Sequence, residues 1–161
     1  MKTLLLGINK AILFACLSMF FGTGWSLILF SFPIASKLTT ANYYNQFVPQ
    51  VTAASHFFTY MTVLILLCCV AFVIEKWKST DKWYPILILL LTFATTAITI
   101  IFIFPYNDCM EVGITDPAEL HTVLTAWIHL NILRVSIWTA MWLVMMVYYS
   151  VLFVKSQSKA A

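Results

Sequence analysis

Four stretches of this 161-residue chain are nearly free of charge: Ala11 to Phe32, Val51 to Ile74, Tyr84 to Phe104, and about Leu120 to Val154. A helix rises about 1.5 Å per residue, so roughly 20 apolar residues cross the hydrocarbon of a bilayer. Each stretch is long enough, and the fourth is too long for the bilayer alone. Only 9% of the residues are charged and 62% are hydrophobic, where a soluble domain has about a quarter charged. With 16% aromatics and a net charge of +3, the chain has neither the composition of a disordered tail nor the basic surface of a nucleic-acid binder. The expected fold class is therefore all-α, an integral membrane four-helix bundle formed by residues 1–161 as a single domain, without internal repeat or linker. Its first partner is the lipid bilayer.

The prolines fall at the edges of these runs, with Pro33 after the first, Pro49 before the second, Pro85 and Pro105 bounding the third, and Pro117 ahead of the fourth. Proline is tolerated in the first helical turn and disruptive inside a helix, so these positions predict helix ends. Asp116-Pro117-Ala118-Glu119 predicts a helix start with an acidic N-cap. Lys2, Lys10, Lys76, Lys78, Lys82, Lys155 and Lys159 all fall on one side of such a bundle, while Lys37, Asp108, Glu111, Asp116 and Glu119 fall on the other. Loops that stay in the cytoplasm carry the excess of lysine and arginine, so both termini are expected there, in a multi-pass protein of the cell (inner) membrane. A cleaved signal peptide is disfavoured, because the first apolar run continues well past Cys16 to Pro33.

The cysteines are Cys16, Cys68, Cys69 and Cys109, with no C-x-x-C among them. That excludes dithiol redox chemistry of the thioredoxin kind, and no cluster of Cys and His has metal-ligand spacing. No metal site is expected. The polar residues inside the spans are more informative, because polar groups in hydrocarbon are costly. Trp127, Asn131, Arg134 and Trp138 follow one helical stripe at i, i+4, i+7 and i+11. Thr52, His56, Thr59 and Tyr60 share a face of the second span, and Thr92, Thr95, Thr96 and Thr99 one side of the third, which is expected to be helix-packing surface. If these faces converge with Trp25 and Asn107, they form a polar pocket toward the outer leaflet. Arg134, Asn131 and His56 are then the candidate catalytic residues, with the arginine and asparagine holding a carbonyl or phenolate oxygen and His56 as general base. Trp25, Tyr60, Asn107, Trp127 and Trp138 are the candidate substrate contacts. A competing reading has Arg134 snorkelling to the lipid headgroups.

Phe104-Pro105-Tyr106-Asn107-Asp108 resembles the P-x-N-D segment after the third helix of the anthrone-oxygenase-like family of small four-helix membrane proteins. Trp127-x3-Asn131-x2-Arg134 resembles the W-x3-N-x2-R pattern on that family's fourth helix, and the stretch from Gly22 to Pro33 is similar too. The chain departs from the family in having Leu130 where an aromatic is frequent and Ile132 where a histidine is. The resemblance implies an oxygenase-like oxidoreductase acting on a hydrophobic aromatic or quinone-like molecule, without a flavin or nicotinamide domain; which cofactor, if any, it uses is left open. Two alternatives compete with it. One is a non-enzymatic accessory subunit or lipid-binding protein that docks a membrane partner or a second copy of itself; the other is a b-type haem protein with His56, His121 and His129 as candidate iron ligands.

Overall fold

Each apolar run folds into a helix longer than the run itself. A computed structural model describes residues 2–158 and contains helices α1 (Thr3–Ala35), α2 (Tyr43–Lys76), α3 (Thr80–Val112) and α4 (Pro117–Gln157), all long and apolar enough to cross a membrane. Among the described residues there is no strand. Lys159, one of the lysines counted above, lies outside them. Helix α4 starts as its sequence predicts, with Asp116 Oδ1 accepting from the Ala118 amide at 3.1 Å and Pro117 in the first turn.

Pro33 and Pro105 do not end their helices, contrary to the sequence expectation. A π-helical turn, Leu27–Ser31, stands directly before Phe32-Pro33, and another, Thr99–Ile103, directly before Phe104-Pro105. A proline ring collides with the carbonyl four residues earlier, here Leu29 and Ile101. Both carbonyls lie inside the π turns, where the wider winding moves them aside and lets the helix continue. The same Phe-x-Phe-Pro sequence thus serves both helices, a short repeat that reading the chain for longer similarity passes over.

Helix α1 packs on α2 and α4, and α3 packs on the same two, so the helices form a ring with α1 diagonal to α3. Two cores fill it. The larger holds Leu13, Leu17, Phe20, Phe58, Ile65, Phe72, Ile88, Trp138, Met141 and Met145. The second, nearer the α1–α2 and α3–α4 loops, holds Phe32, Tyr43, Phe47, Ile103, Met110, Leu120 and Trp127. Cys68 and Cys69 are buried packing residues of the larger core. At the far end, Lys10 Nζ meets Glu75 Oε1 at 2.7 Å and Lys155 Nζ meets Asp81 Oδ1 at 2.8 Å. The N-terminal end of α1, the α2–α3 loop and the C-terminal end of α4 therefore share one end of the bundle. At the other end Gly113, at φ 101°, turns the chain out of α3 in a conformation that favours glycine, and the Tyr43 hydroxyl receives the next amide, that of Ile114. Large apolar side chains such as Leu29, Phe30, Leu67, Ile74, Leu90 and Phe93 face outward.

Helix α1 approaches α4 closely at Gly24. A Cβ there would come within 2.9 Å of both methyls of Val135 and 3.1 Å of the Trp138 ring. Val135 is β-branched and buried, so it has no rotamer to yield into. Gly24→Ala is expected to lower thermal stability in detergent by about 1–2 kcal/mol, because overpacking costs ~1–3 kcal/mol and the better helix propensity of alanine returns no more than about 1. Gly22→Ala, where a Cβ meets nothing within 4 Å, is the matched control. Equal melting temperatures for the two variants would contradict the close approach.

Candidate functional site

A cavity of about 490 Å³ lies between the two cores, a size typical of small-molecule sites. Phe20, Phe58 and Trp138 line it from the larger core, Phe47 and Trp127 from the other, and Thr95, Thr96, Thr99 and Arg134 along its side. Both π turns contribute to its wall through Leu27, Ser31, Thr99, Ile100 and Ile103. The helices are widest where the prolines demand it, and the space opens beside them.

Arg134 is the one charged side chain among the described residues that line this cavity. Its guanidinium lies over the Trp138 ring, 4.7 Å from Cζ to the ring centroid. Nη1 reaches Thr99 Oγ1 at 3.5 Å, the outer limit of a hydrogen bond, and Nε is buried without a partner. Among the described residues no carboxylate forms an ion pair with it. The side chain faces the cavity rather than the outer surface, from which a snorkelling arginine would reach headgroups. A desolvated cation-π contact offers about 2 kcal/mol, whereas taking an ion out of water costs several kcal/mol.

Most hydroxyls along the wall are committed to their own helices. Ser55 donates to the Val51 carbonyl, Thr59 to Ser55, Thr62 to Phe58, Thr95 and Thr96 to Thr92, and Thr99 to Thr95, at 2.8–3.0 Å. Each keeps its proton on its own helix and turns only lone pairs to the cavity. The loop-side end is tied by Trp127 Nε1 donating to Asn107 Oδ1 at 2.8 Å and Asn107 Nδ2 reaching Ser55 Oγ at 3.4 Å.

Of the residues picked from the sequence, Arg134, Asn107, Trp127 and Trp138 meet at this cavity. The others stand elsewhere. His56 and Tyr60 are exposed, Tyr60 by 75%, because the inward face of α2 is the apolar row Phe58, Ile65 and Phe72. The polar face read from the sequence is turned away from it, so only Thr59 reaches the cavity edge. Trp25 lies on the seam between α1 and α4, its Nε1 donating to Thr139 Oγ1 at 3.1 Å. Asn131 is fully buried behind the wall, its amide donating to the Trp127 carbonyl at 2.8 Å and its Oδ1 without a partner. The threonines of α3 were read as packing surface, yet Thr95, Thr96 and Thr99 line the cavity; the stripe was visible in the spacing, its exposure to a void was not. Phe20, Phe47 and Phe58 gave no signal, since aromatic residues are frequent everywhere in this chain.

His56, His121 and His129 are all exposed, and none lines the main cavity. His121 borders a separate hollow of about 290 Å³ between the α1–α2 loop and the start of α4. Among the described residues no group of three or more His, Cys, Asp or Glu comes together at metal-binding distance. Comparison of the chain with protein-family models, with curated proteins and with solved structures found no match. What the protein does has to come from its own side chains.

The Asn107 carboxamide holds Trp127 in place, so the two should be energetically coupled. Asn107→Ala strands the buried Trp127 N–H and is expected to lower stability by about 1–3 kcal/mol. In the Trp127→Phe background, where no indole N–H remains, the same change should cost at least 1 kcal/mol less. Additive losses in thermal denaturation would show that the bond contributes nothing.

Proposed function

We propose that this chain is an integral membrane protein, with both termini in the cytoplasm, whose cavity binds a hydrophobic small molecule through an oxygen held by Arg134. The observation that carries the reading is a half-buried guanidinium without a counter-ion, its Nε buried and unpartnered, facing an apolar cavity of ligand size. Such an arginine weakens the fold unless a partner arrives. A carboxylate, phenolate or polarised carbonyl supplies one through charge-assisted hydrogen bonds. The aromatic side chains around it, Phe20, Phe47, Phe58, Trp127 and Trp138, favour a flat aromatic or quinone-like body. The sharing of one bundle end by lysines of both termini and the α2–α3 loop supports the orientation, and with it an inner-membrane location, by the positive-inside rule.

An oxygenase-like oxidoreductase activity on such a ligand is a second reading. It draws on the resemblance noted above and on the placement of a cation where a ligand oxygen would gain charge as the ligand is deprotonated. His56 stands outside the cavity, and no carboxylate or histidine among the described residues lines it, so in this reading the ligand's proton leaves to solvent rather than to a wall residue. The accessory-subunit reading has no comparable observation, since its docking surface would have to be the exposed face rather than the cavity.

Two experiments test the proposal. Quenching of tryptophan fluorescence by anthraquinone-2-carboxylate, a flat monoanion, measures binding in mild detergent. Arg134→Met is expected to weaken it at least tenfold, since a hydrogen bond to a charged group contributes about 1.5–3 kcal/mol and each 1.4 is tenfold. Its melting temperature without ligand should equal or exceed that of the parent, because an uncompensated buried charge is gone. Unchanged affinity would remove Arg134 from the site. For the topology, a reporter active only in the cytoplasm should be active when fused to either terminus; activity at a single terminus would refute the orientation.

A further inference from the structure

The repeated Phe-x-Phe-Pro segments place α1 and α3 in corresponding roles, so the α4–α1 seam and the α2–α3 seam are counterparts across the ring. They differ in how they close. Counting back nine residues from Pro33 and from Pro105 reaches Gly24 in α1 and Thr96 in α3. At Gly24 the missing side chain lets α4 come within contact distance. The rest of that seam is bolted by Trp25 to Thr139 and by Trp142 Nε1 to Ser18 Oγ at 3.2 Å, with Phe21 stacked on Trp142 at 4.6 Å.

At the corresponding level of α3 stands Thr96, which lines the cavity, and the π turn Thr99–Ile103 packs on α4. Among the described residues, side-chain hydrogen bonds across the α2–α3 seam occur only near the loops, from Asn107 to Ser55 and from Thr52 to Glu111. Below them every hydroxyl is turned back to its own helix. Val63 and Ile100 line the cavity and are also 51% and 57% exposed on the outer surface. Side chains that face both ways mark an opening.

We propose that the α2–α3 seam is the entrance to the cavity, that ligands load through it sideways from the hydrocarbon, and that Val63 and Ile100 set its width. The proposal rests on the binding reading above and adds the route and the class of ligand: one whose apolar body dissolves in the acyl-chain region before its oxygen meets Arg134. At about 490 Å³ the cavity is of the size that takes a drug-sized ring system and not a two-chain lipid. A second mouth lies at the loop end beside Gln46 and Gln50, and the test separates the two.

Stopped-flow quenching with anthraquinone-2-carboxylate delivered from donor vesicles to protein in lipid nanodiscs gives association and release rates. Narrowing the entrance with Val63→Phe and Ile100→Phe together is expected to slow association and release alike, about tenfold, and by more than it changes the equilibrium affinity, as obstruction of a path acts on both rates in common. Val63→Ala with Ile100→Ala should quicken both rates, which guards against a narrowed variant that merely folds badly. Entry through the loop-end mouth would instead make Gln50→Phe the slow variant, and that result overturns the proposal. A wild-type protein that binds at rates indifferent to the seam variants overturns the route alone, whereas a wild-type protein that does not bind the probe overturns the pocket reading itself.

Discussion

The bundle depends on keeping backbone hydrogen bonds intact in apolar surroundings, where an unpaired amide or carbonyl has no water to turn to. Two prolines inside long helices, Pro33 near the end of α1 and Pro105 in the last third of α3, threaten that requirement. In α1 and α3 the answer is the same, a π turn directly ahead of the proline that absorbs the collision and carries the helix on. The wider turns lie at one level on diagonally opposed helices, and close packing of all four helices is lost there. A hollow between two cores follows from that local adjustment. Its position owes nothing to the polar residues that later give it chemical character.

Charge in that hollow is arranged asymmetrically. One guanidinium faces it, resting on Trp138 and touching Thr99 at the limit of hydrogen bonding, while the hydroxyls nearby offer only lone pairs. In a region of low dielectric an unpaired cation interacts strongly with any oxyanion that arrives, because little solvent screens it. The same arrangement rejects a second cation and gives a dianion only half the compensation it needs.

The hydroxyls show how a helix decides chemistry that residue identity leaves open. Serine and threonine within a helix readily donate to the carbonyl four residues earlier, so a row of threonines that looks like a set of donors in the sequence becomes a set of acceptors in the fold.

Helix number, the shared end of the lysine-rich segments and the N-cap at Asp116 were all determined by the sequence alone, because they depend on apolar length, charge and local capping. Arg134, Trp127, Trp138 and Asn107 were legible too, since a stripe of polar and aromatic residues stands out against an apolar background. The facing of α2 was not: a rotation of one residue, about 100°, separates His56 from Ser55, and which side turns inward was decided by the packing of Phe58, Ile65 and Phe72 against the other helices. Trp25 likewise went to a seam rather than a cavity because Gly24 beside it draws α4 close. The continuation of helices through Pro33 and Pro105, the void beside them and the placing of Arg134 at it without a counter-ion belong to tertiary structure alone. They depend on where helices far apart in sequence come to rest, and no local pattern encodes that.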